Sequence, residues 1–272
     1  MNRNEQITGV HSISDKDIIE NYLRKDPFLN AYAIGDLDPF FWPRTRWLGV
    51  YDGDKLLTVI LIYQDDTIPV VLALDACAEA LGAHLLSKCV DHLPERFYSH
   101  LSPSLYSSLD AYYKVERYGT HFTMGLTQEN FRKSDSSPGE SIRKLLPADL
   151  EPIQVLFQAA YPENWFAPKM LETGKYYGTF IAERLIGIAG VHVYSKAQGV
   201  SALGNITVTP ELRGRGLARR ITSALCEDLL SHIPIVTLKV KADNNAAIRC
   251  YESLGFRIIA PYEEALVARK HA

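Results

Sequence analysis

The tightest constraint on the fold of this chain is the stretch Asn205–Ala218, NITVTPELRGRGLA. A β-branched run passes through a Pro-Glu turn into Arg213-Gly-Arg-Gly216-Leu-Ala218 and then into a helical period. Over Gly216–Leu230 the apolar positions Leu217, Ile221, Ala224, Leu225 and Leu229 recur at spacings of three and four, leaving Arg219, Arg220 and Glu227 for the opposite face. A strand that feeds a helix through glycines places the chain among α/β folds.

Such a junction favours an anion. Glycines let successive backbone N–H groups point into one concavity, and the helix start adds unsatisfied donors and the positive end of its dipole. Gly214 and Gly216 let a phosphate approach without a Cβ in the way; Arg213 and Arg215 stand beside them, with Arg219 and Arg220 one turn on. That much charge suits a pyrophosphate better than a single carboxylate. Taken alone, Gly-x-Gly is a tight turn and its arginines a solvated face. Neither G-x-G-x-x-G nor the P-loop pattern with its Lys and Ser/Thr is present.

The clearest break in composition is Thr127–Ser141, TQENFRKSDSSPGES, a polar stretch near the midpoint of 272 residues. At about 100–200 residues per domain, two domains are expected. Across the break, Gly49-Val-Tyr, a polar turn and an apolar strand match Gly178-Thr-Phe, a polar turn and another apolar strand at an offset of 129, which Leu74 and Leu203 keep. The second half reads as strands at 176–182, 185–194 and 200–208, a helix over 216–230, a strand at 235–240, a helix from Asn244 and a final hairpin over 256–267. The first half repeats that order: a helix over 16–23, strands at 47–52, 56–63 and 68–74, a helix over 76–89, a strand at 97–100, a short helix near 105–113 and a strand at 121–126. The expected division is therefore 1–127, a linker over 128–140, and 141–272, one α/β unit used twice.

Composition excludes other classes. With 47% hydrophobic and 22% charged residues the chain is globular, and a net charge of −3 gives no global field to hold nucleic acid or anionic lipid. Cys77, Cys89, Cys226 and Cys250 form no metal-ligand or C-x-x-C spacing, so neither zinc nor a disulfide framework is expected. The N-terminus has no signal-like apolar stretch and no run approaches membrane-spanning length, which points to the cytoplasm.

Arg213, Gly216 and Ala218 meet the pattern Arg/Gln-x-x-Gly-x-Gly/Ala at a strand-to-helix junction. Downstream, Asn244, Ala247, Ile248, Tyr251, Gly255 and Phe256 meet Asn-x-x-Ala-Ile-x-x-Tyr-x-x-x-Gly-Phe. Over 176–268 the chain thus resembles the GNAT superfamily of acyl-CoA-dependent N-acyltransferases. The resemblance implies a mixed, mostly antiparallel sheet flanked by helices in each unit. It implies that Arg213, Gly214, Arg215, Gly216, Leu217 and Ala218 cradle the pyrophosphate of coenzyme A, that Ile206, Thr207 and Val208 lie along the pantetheine arm with a backbone N–H near Val208 polarising the thioester, that Asn244 bonds the same arm, and that Tyr251 protonates the leaving thiolate. From the residues alone, Asn244 also reads as a helix cap and Tyr251 as a core aromatic.

The family's strand carboxylate is missing: Ala202-Leu-Gly-Asn-Ile206 has none, and His192, of the type that titrates near neutrality, or a water chain would have to serve as base. In the first half the corresponding junction, Leu74-Asp-Ala-Cys-Ala-Glu-Ala80, has no glycine or arginine and two acids, so that half reads as a degenerate unit without a cofactor, as in tandem members. Asp36–Trp47 reads either as a substrate-side loop or as interdomain packing, and Tyr161–Phe166 as a shaper of the acceptor pocket. The expected activity is transfer of an acyl group, most simply acetyl, from acyl-CoA to an amine by direct attack, without a metal. Partners are acyl-CoA and an amine acceptor, with neither nucleic acid nor membrane, and the chain is open to homodimer formation. The alternative is a non-catalytic acyl-CoA sensor or scaffold; transfer from aminoacyl-tRNA is disfavoured by the acidic balance.

Overall fold

The computed structural model describes residues 7–64, 68–81, 83–135 and 141–270, without the side chains of residues 76, 77 and 83. The chain divides into two compact units, Met1–Thr123 with Ile259–Ala272, and Met124–Ile258.

The first unit contains β1 (Gly9–Ser12), α1 (Lys16–Leu23), α2 (Ala31–Gly35), β2 (Thr45–Asp52), β3 (Lys55–Tyr63), β4 (Val70–Ala73), α3 (Ala76–Leu81), α4 (Ala83–Cys89), β5 (Arg96–Leu101), α5 (Tyr106–Leu109) and β6 (Tyr113–Leu126). The second contains β7 (Ser141–Lys144), α6 (Leu150–Ala160), β8 (Tyr177–Ile181), β9 (Arg184–Ser195), β10 (Val200–Val208), α7 (Leu217–Leu230), β11 (Ile235–Lys241) and α8 (Asn245–Ser253), and the chain ends in β12 (Arg257–Arg269). Strands run β1-β2-β3-β4-β5-β12-β6 in the first unit and β11-β10-β9-β8-β7 in the second. In each, the successive pairs from β1 to β4 and from β7 to β10 are antiparallel, whereas β4–β5 and β10–β11 are parallel across a helical crossover. Register preserves the repeat: Gly49 faces Val59 and Gly178 faces Ile188, both members shifted by 129.

Three expectations change. The predicted C-terminal hairpin is one strand, because pairing with the first unit carries it straight on: it joins β5 from Glu263↔Leu101 to Ala268↔Arg96 and buries Ala265 and Val267 in that unit's core. Residues 259–272 therefore belong with the first unit and not with 141–258. The helix expected to reach 113 stops at Leu109, and β6 starts at Tyr113. The polar stretch is docked over 128–135: Arg132 N–H donates to Leu254 O at 2.9 Å and Ser134 N–H to Ser223 Oγ at 2.9 Å. Polar anchoring of this kind leaves no apolar period in the sequence. Residues 136–140 of the expected linker lie outside the described residues. Cys89, Cys226 and Cys250 are free thiols, and no described helix is long and apolar enough to cross a membrane.

A buried ion pair holds the far end of α7. Lys175, only 7% exposed, donates to Asp228 Oδ2 at 2.9 Å and lies 3.1 Å from His232 Nε2, while Lys144 reaches the same carboxylate at 3.3 Å. Burial pushes the Asp228 carboxyl up, but bonding and charge from Lys175 and Lys144 outweigh it and hold the group below its ordinary value. A carboxyl depressed in the fold stabilises above its unfolded pKa, about 4, and that contribution is lost as pH falls through the folded value. Asp228→Asn, which leaves Lys175 buried without its anion, is expected to cost about 3 kcal/mol at pH 7. In urea melts the gap to wild type should narrow by pH 3; an equal gap at both pH values would contradict this assignment.

Candidate active site

In the second unit the parallel ladder between β10 and β11 runs from Val200↔Ile235 to Leu203↔Leu238 and stops, although β10 continues to Val208 and β11 to Lys241. The cause is a bulge. Against β9, Gly204 faces Gly190 and the next pair is Thr207↔Ile188, so Asn205 and Ile206 oppose Ala189 alone. Asn205 takes the left-handed conformation with φ 54°. Beyond it, Thr209 N–H donates to Ile186 O at 2.9 Å. Because N–H groups alternate sides along a strand, the Val208 N–H points away from β9, toward the side where pairing with β11 has ended. This is where Ile206, Thr207 and Val208 were expected to receive a ligand arm.

Past β10, residues Pro210–Leu212 form a 3-10 turn and Gly214 and Gly216 take φ of 77° and 76°. Gly216 is the N-cap of α7, with no side chain bonded to the helix start. After Arg213, whose N–H donates to Pro210 O at 3.2 Å, the next amide with a backbone acceptor is that of Arg220, to Gly216 O at 3.1 Å; among the described residues, the amides of Gly214, Arg215, Gly216, Leu217, Ala218 and Arg219 have none. A Cβ on Gly214 would meet nothing within 4 Å, so the loop is open on that side. Six consecutive unengaged donors and a helix dipole fit a diphosphate.

Three of the four arginines bond neighbouring protein groups. Arg213 donates through Nε to Val208 O at 3.1 Å and through Nη2 to Ala160 O at 2.9 Å, so it clamps the end of β10 to the end of α6. Arg219 Nε donates to Ser134 Oγ at 3.0 Å and Arg220 Nη1 to Arg215 O at 3.1 Å. Of the four, Arg215 alone keeps its guanidinium without a protein partner among the described residues. Sequence spacing places these side chains near one turn but does not reveal carbonyls that compete for them.

Asn244 is the N-cap of α8, its Oδ1 accepting from Ala247 N–H at 3.1 Å. Its capping role is thus realised, and its amide nitrogen is the part left for a ligand. Tyr251 is 9% exposed, and its ring meets Phe256 edge-on at 5.9 Å. Burial pushes its hydroxyl well above the ordinary value, with Cys250, Tyr161 and Cys226 adding to the effect.

The side of the sheet occupied by α6 is built on two glycines. On the paired residues Gly190 and Gly204, a Cβ would come within 2.1 Å of the Tyr176 ring and within 1.5 Å of the His192 ring, respectively. Gly190 and His192 are two apart on β9, so both rings lie on one face; Phe166 links Tyr176 to Phe157 of α6 at 5.6 and 5.2 Å. Gly187, of opposite parity, faces Ile221 of α7 instead. Asp36–Trp47 packs inside the first unit, with Trp42 stacked on Trp47 at 6.1 Å and Lys16 over Trp42 at 4.3 Å.

The corresponding place in the first unit is closed. The β4–β5 ladder runs to Ala73↔Leu101, the last residue of both strands, and Ser102 N–H continues it to Ala73 O at 3.0 Å. Asp75 then fills the helix start, accepting from Ala78 N–H at 2.8 Å and from the Thr58 hydroxyl at 2.5 Å.

Residues 140–256 match the family model of the acetyltransferase (GNAT) family. The second unit carries a GNAT domain. Among curated relatives, the mycothiol acetyltransferase of Streptomyces griseus is 38% identical over 98 residues, 35% of this chain and 29% of that protein, so the match spans about a third of its curated relatives. Among solved structures, a Drosophila protein aligns over 95% of this chain and 98% of its own with 14% identity and a TM-score of 0.72. A tandem GNAT protein from the clavulanic acid biosynthesis pathway aligns over 97% and 99% with 15% identity and a TM-score of 0.56. At these identities the likeness concerns the fold: a mixed, mostly antiparallel α/β architecture over nearly the whole chain.

The paired glycines Gly190 and Gly204 give a direct test of the face on which Tyr176 and His192 lie. Gly204→Ala should force the His192 ring off β10, cost about 1–3 kcal/mol and shift the His192 imidazole resonances. Unchanged resonances and stability would show that His192 does not rest on Gly204.

Proposed function

We propose that this chain is an acyl-CoA-dependent N-acetyltransferase with one cofactor site, in its GNAT domain, and that it moves an acetyl group to an amine by direct attack within a ternary complex. The observation that carries this reading is the set of unengaged amides from Gly214 to Arg219 at the head of α7, opening beside the gap between β10 and β11. The shared name of the curated relatives supports acetyl as the group transferred.

Acetyl-CoA supplies the thioester, whose carbonyl carbon bonds to the amine nitrogen as its C–S bond breaks. The amides of Gly214 to Ala218 and the guanidinium of Arg215 bind the diphosphate. The Val208 N–H stabilises negative charge on the thioester oxygen. Tyr251 keeps its proton throughout the working pH range because burial raises its pKa, and it gives that proton to the thiolate through proximity more than acidity. The nitrogen loses its proton to His192 or to water. The first unit, with its ladder paired to the end and Asp75 capping α3, serves as a degenerate partner without a cofactor. A cytoplasmic setting and homodimer formation belong to the same reading.

The missing strand carboxylate favours a second reading, a non-catalytic acyl-CoA sensor. Acetyl-CoA is expected to raise the melting temperature of the full chain at a stoichiometry of one, and Gly216→Asp to abolish both effects. Wild type should release thiol with at least one amine of a panel of small amines, amino acids and amino sugars, and Tyr251→Phe should slow that release about 100-fold. Binding without thiol release from any amine would favour the sensor, and no binding of any acyl-CoA would overturn both readings.

A further inference from the structure

Asn205 combines several features that neither bulge formation nor cofactor binding accounts for. It is 3% exposed, sits at φ 54° in the bulge of β10, and lies between Gly204, on which His192 rests, and the Thr207–Val208 segment. Its amide nitrogen donates to the Tyr176 hydroxyl at 2.9 Å, with Met170 Sδ at 3.8 Å, and Tyr176 in turn donates its only proton to Val191 O at 2.9 Å. With the Tyr176 proton on Val191 O, or on Met170 Sδ at 3.3 Å, the Asn205 atom facing the Tyr176 oxygen is the nitrogen. This fixes the orientation of the carboxamide. Its oxygen is left buried with no hydrogen-bond partner among the described residues.

An orphaned buried carbonyl of this kind is costly to a fold, and a chain that needed only a bulge could take glycine there. We propose that Asn205 is a positioning residue for the acceptor: its Oδ1 accepts one N–H of the incoming amine, so that the nitrogen lone pair faces the thioester held along Val208. This rests on the N-acetyltransferase reading above. Tyr176 and Val191 act as the relay that keeps the acceptor atom turned outward from the pair. Met170, whose sulfur also lies 3.3 Å from the Tyr176 hydroxyl, is the movable wall beside the amide, since a thioether chain with three rotatable bonds can swing aside at little cost. His192, on the same face, is placed to take the second proton.

Two measurements on the full chain test the assignment. In the first, Asn205→Ala and Asn205→Asp are compared with wild type, by calorimetry for acetyl-CoA and by thiol release with the amine panel. Asn205→Ala should keep acetyl-CoA affinity within about threefold while lowering kcat/KM for the amine about 10-fold to 100-fold; Asn205→Asp, which retains an acceptor atom, should recover part of that loss. If Asn205→Ala weakens acetyl-CoA binding as much as it lowers amine turnover, the residue only shapes the bulge and the proposal falls. In the second, crystals of wild type and of Asn205→Ala are soaked in ammonium, the smallest amine probe. A nitrogen within hydrogen-bond reach of Oδ1 in the first and none there in the second supports the proposal even if no amine in the panel turns over, an outcome that would count only against the transferase reading. An Oδ1 still without a neighbour after the soak overturns it.

Discussion

The second unit depends on one break in a ladder. Asn205, in a left-handed conformation in mid-strand, puts two residues of β10 opposite one of β9 and ends the pairing of β10 with β11 after Leu203. A parallel pair normally satisfies its backbone groups along its full length, so unpaired N–H groups at the core of a sheet are costly unless something else takes them. The gap therefore reads as a receptor for another hydrogen-bonding chain. The first unit provides the control within the same molecule: without a bulge, β4 and β5 stay paired to their last residues, and no gap opens.

The head of the following helix obeys the same contrast. In the first unit a carboxylate, Asp75, accepts from the Ala78 N–H at the start of α3, where an external anion would otherwise sit. In the second, glycines stand where a cap could be, and the donors from Gly214 to Arg219 are left over. The arginines keep their charge, but fewer guanidinium donors are left than their count suggests, because Arg213 bonds Val208 and Ala160 through Nε and Nη2 and Arg219 bonds Ser134 through Nε. Backbone amides and the helix dipole are what the second unit offers an anion, and Arg215 is the one of the four arginines whose guanidinium has no protein partner among the described residues.

Much of this was legible in the residues. Glycines on both sides of Arg215 mark the junction, and the offset of 129 marks the repeat, because turn chemistry and hydrophobic period are local. What could not be read was long-range or polar. The last strand joins the first unit because Ala265 and Val267 fit that core, a match between residues far apart in sequence. The docking of 128–135 uses backbone donors and hydroxyls, which leave no periodic signal. The orphaned Asn205 oxygen depends on the direction of the Tyr176 proton, which the positions of Val191 and Met170 govern. A glycine facing a glycine across β9 and β10 was a signal that could have found the His192–Tyr176 face, since neither residue is needed for a turn there.

On the proposed reading one cofactor binds this chain, held mainly by backbone donors of the second unit. Amide hydrogen exchange with and without saturating acetyl-CoA tests it residue by residue. The account predicts strong protection of the amides from Gly214 to Arg219 and of Val208, with those of residues 74–79 unchanged. Protection at 74–79, or none at 214–219, would contradict it.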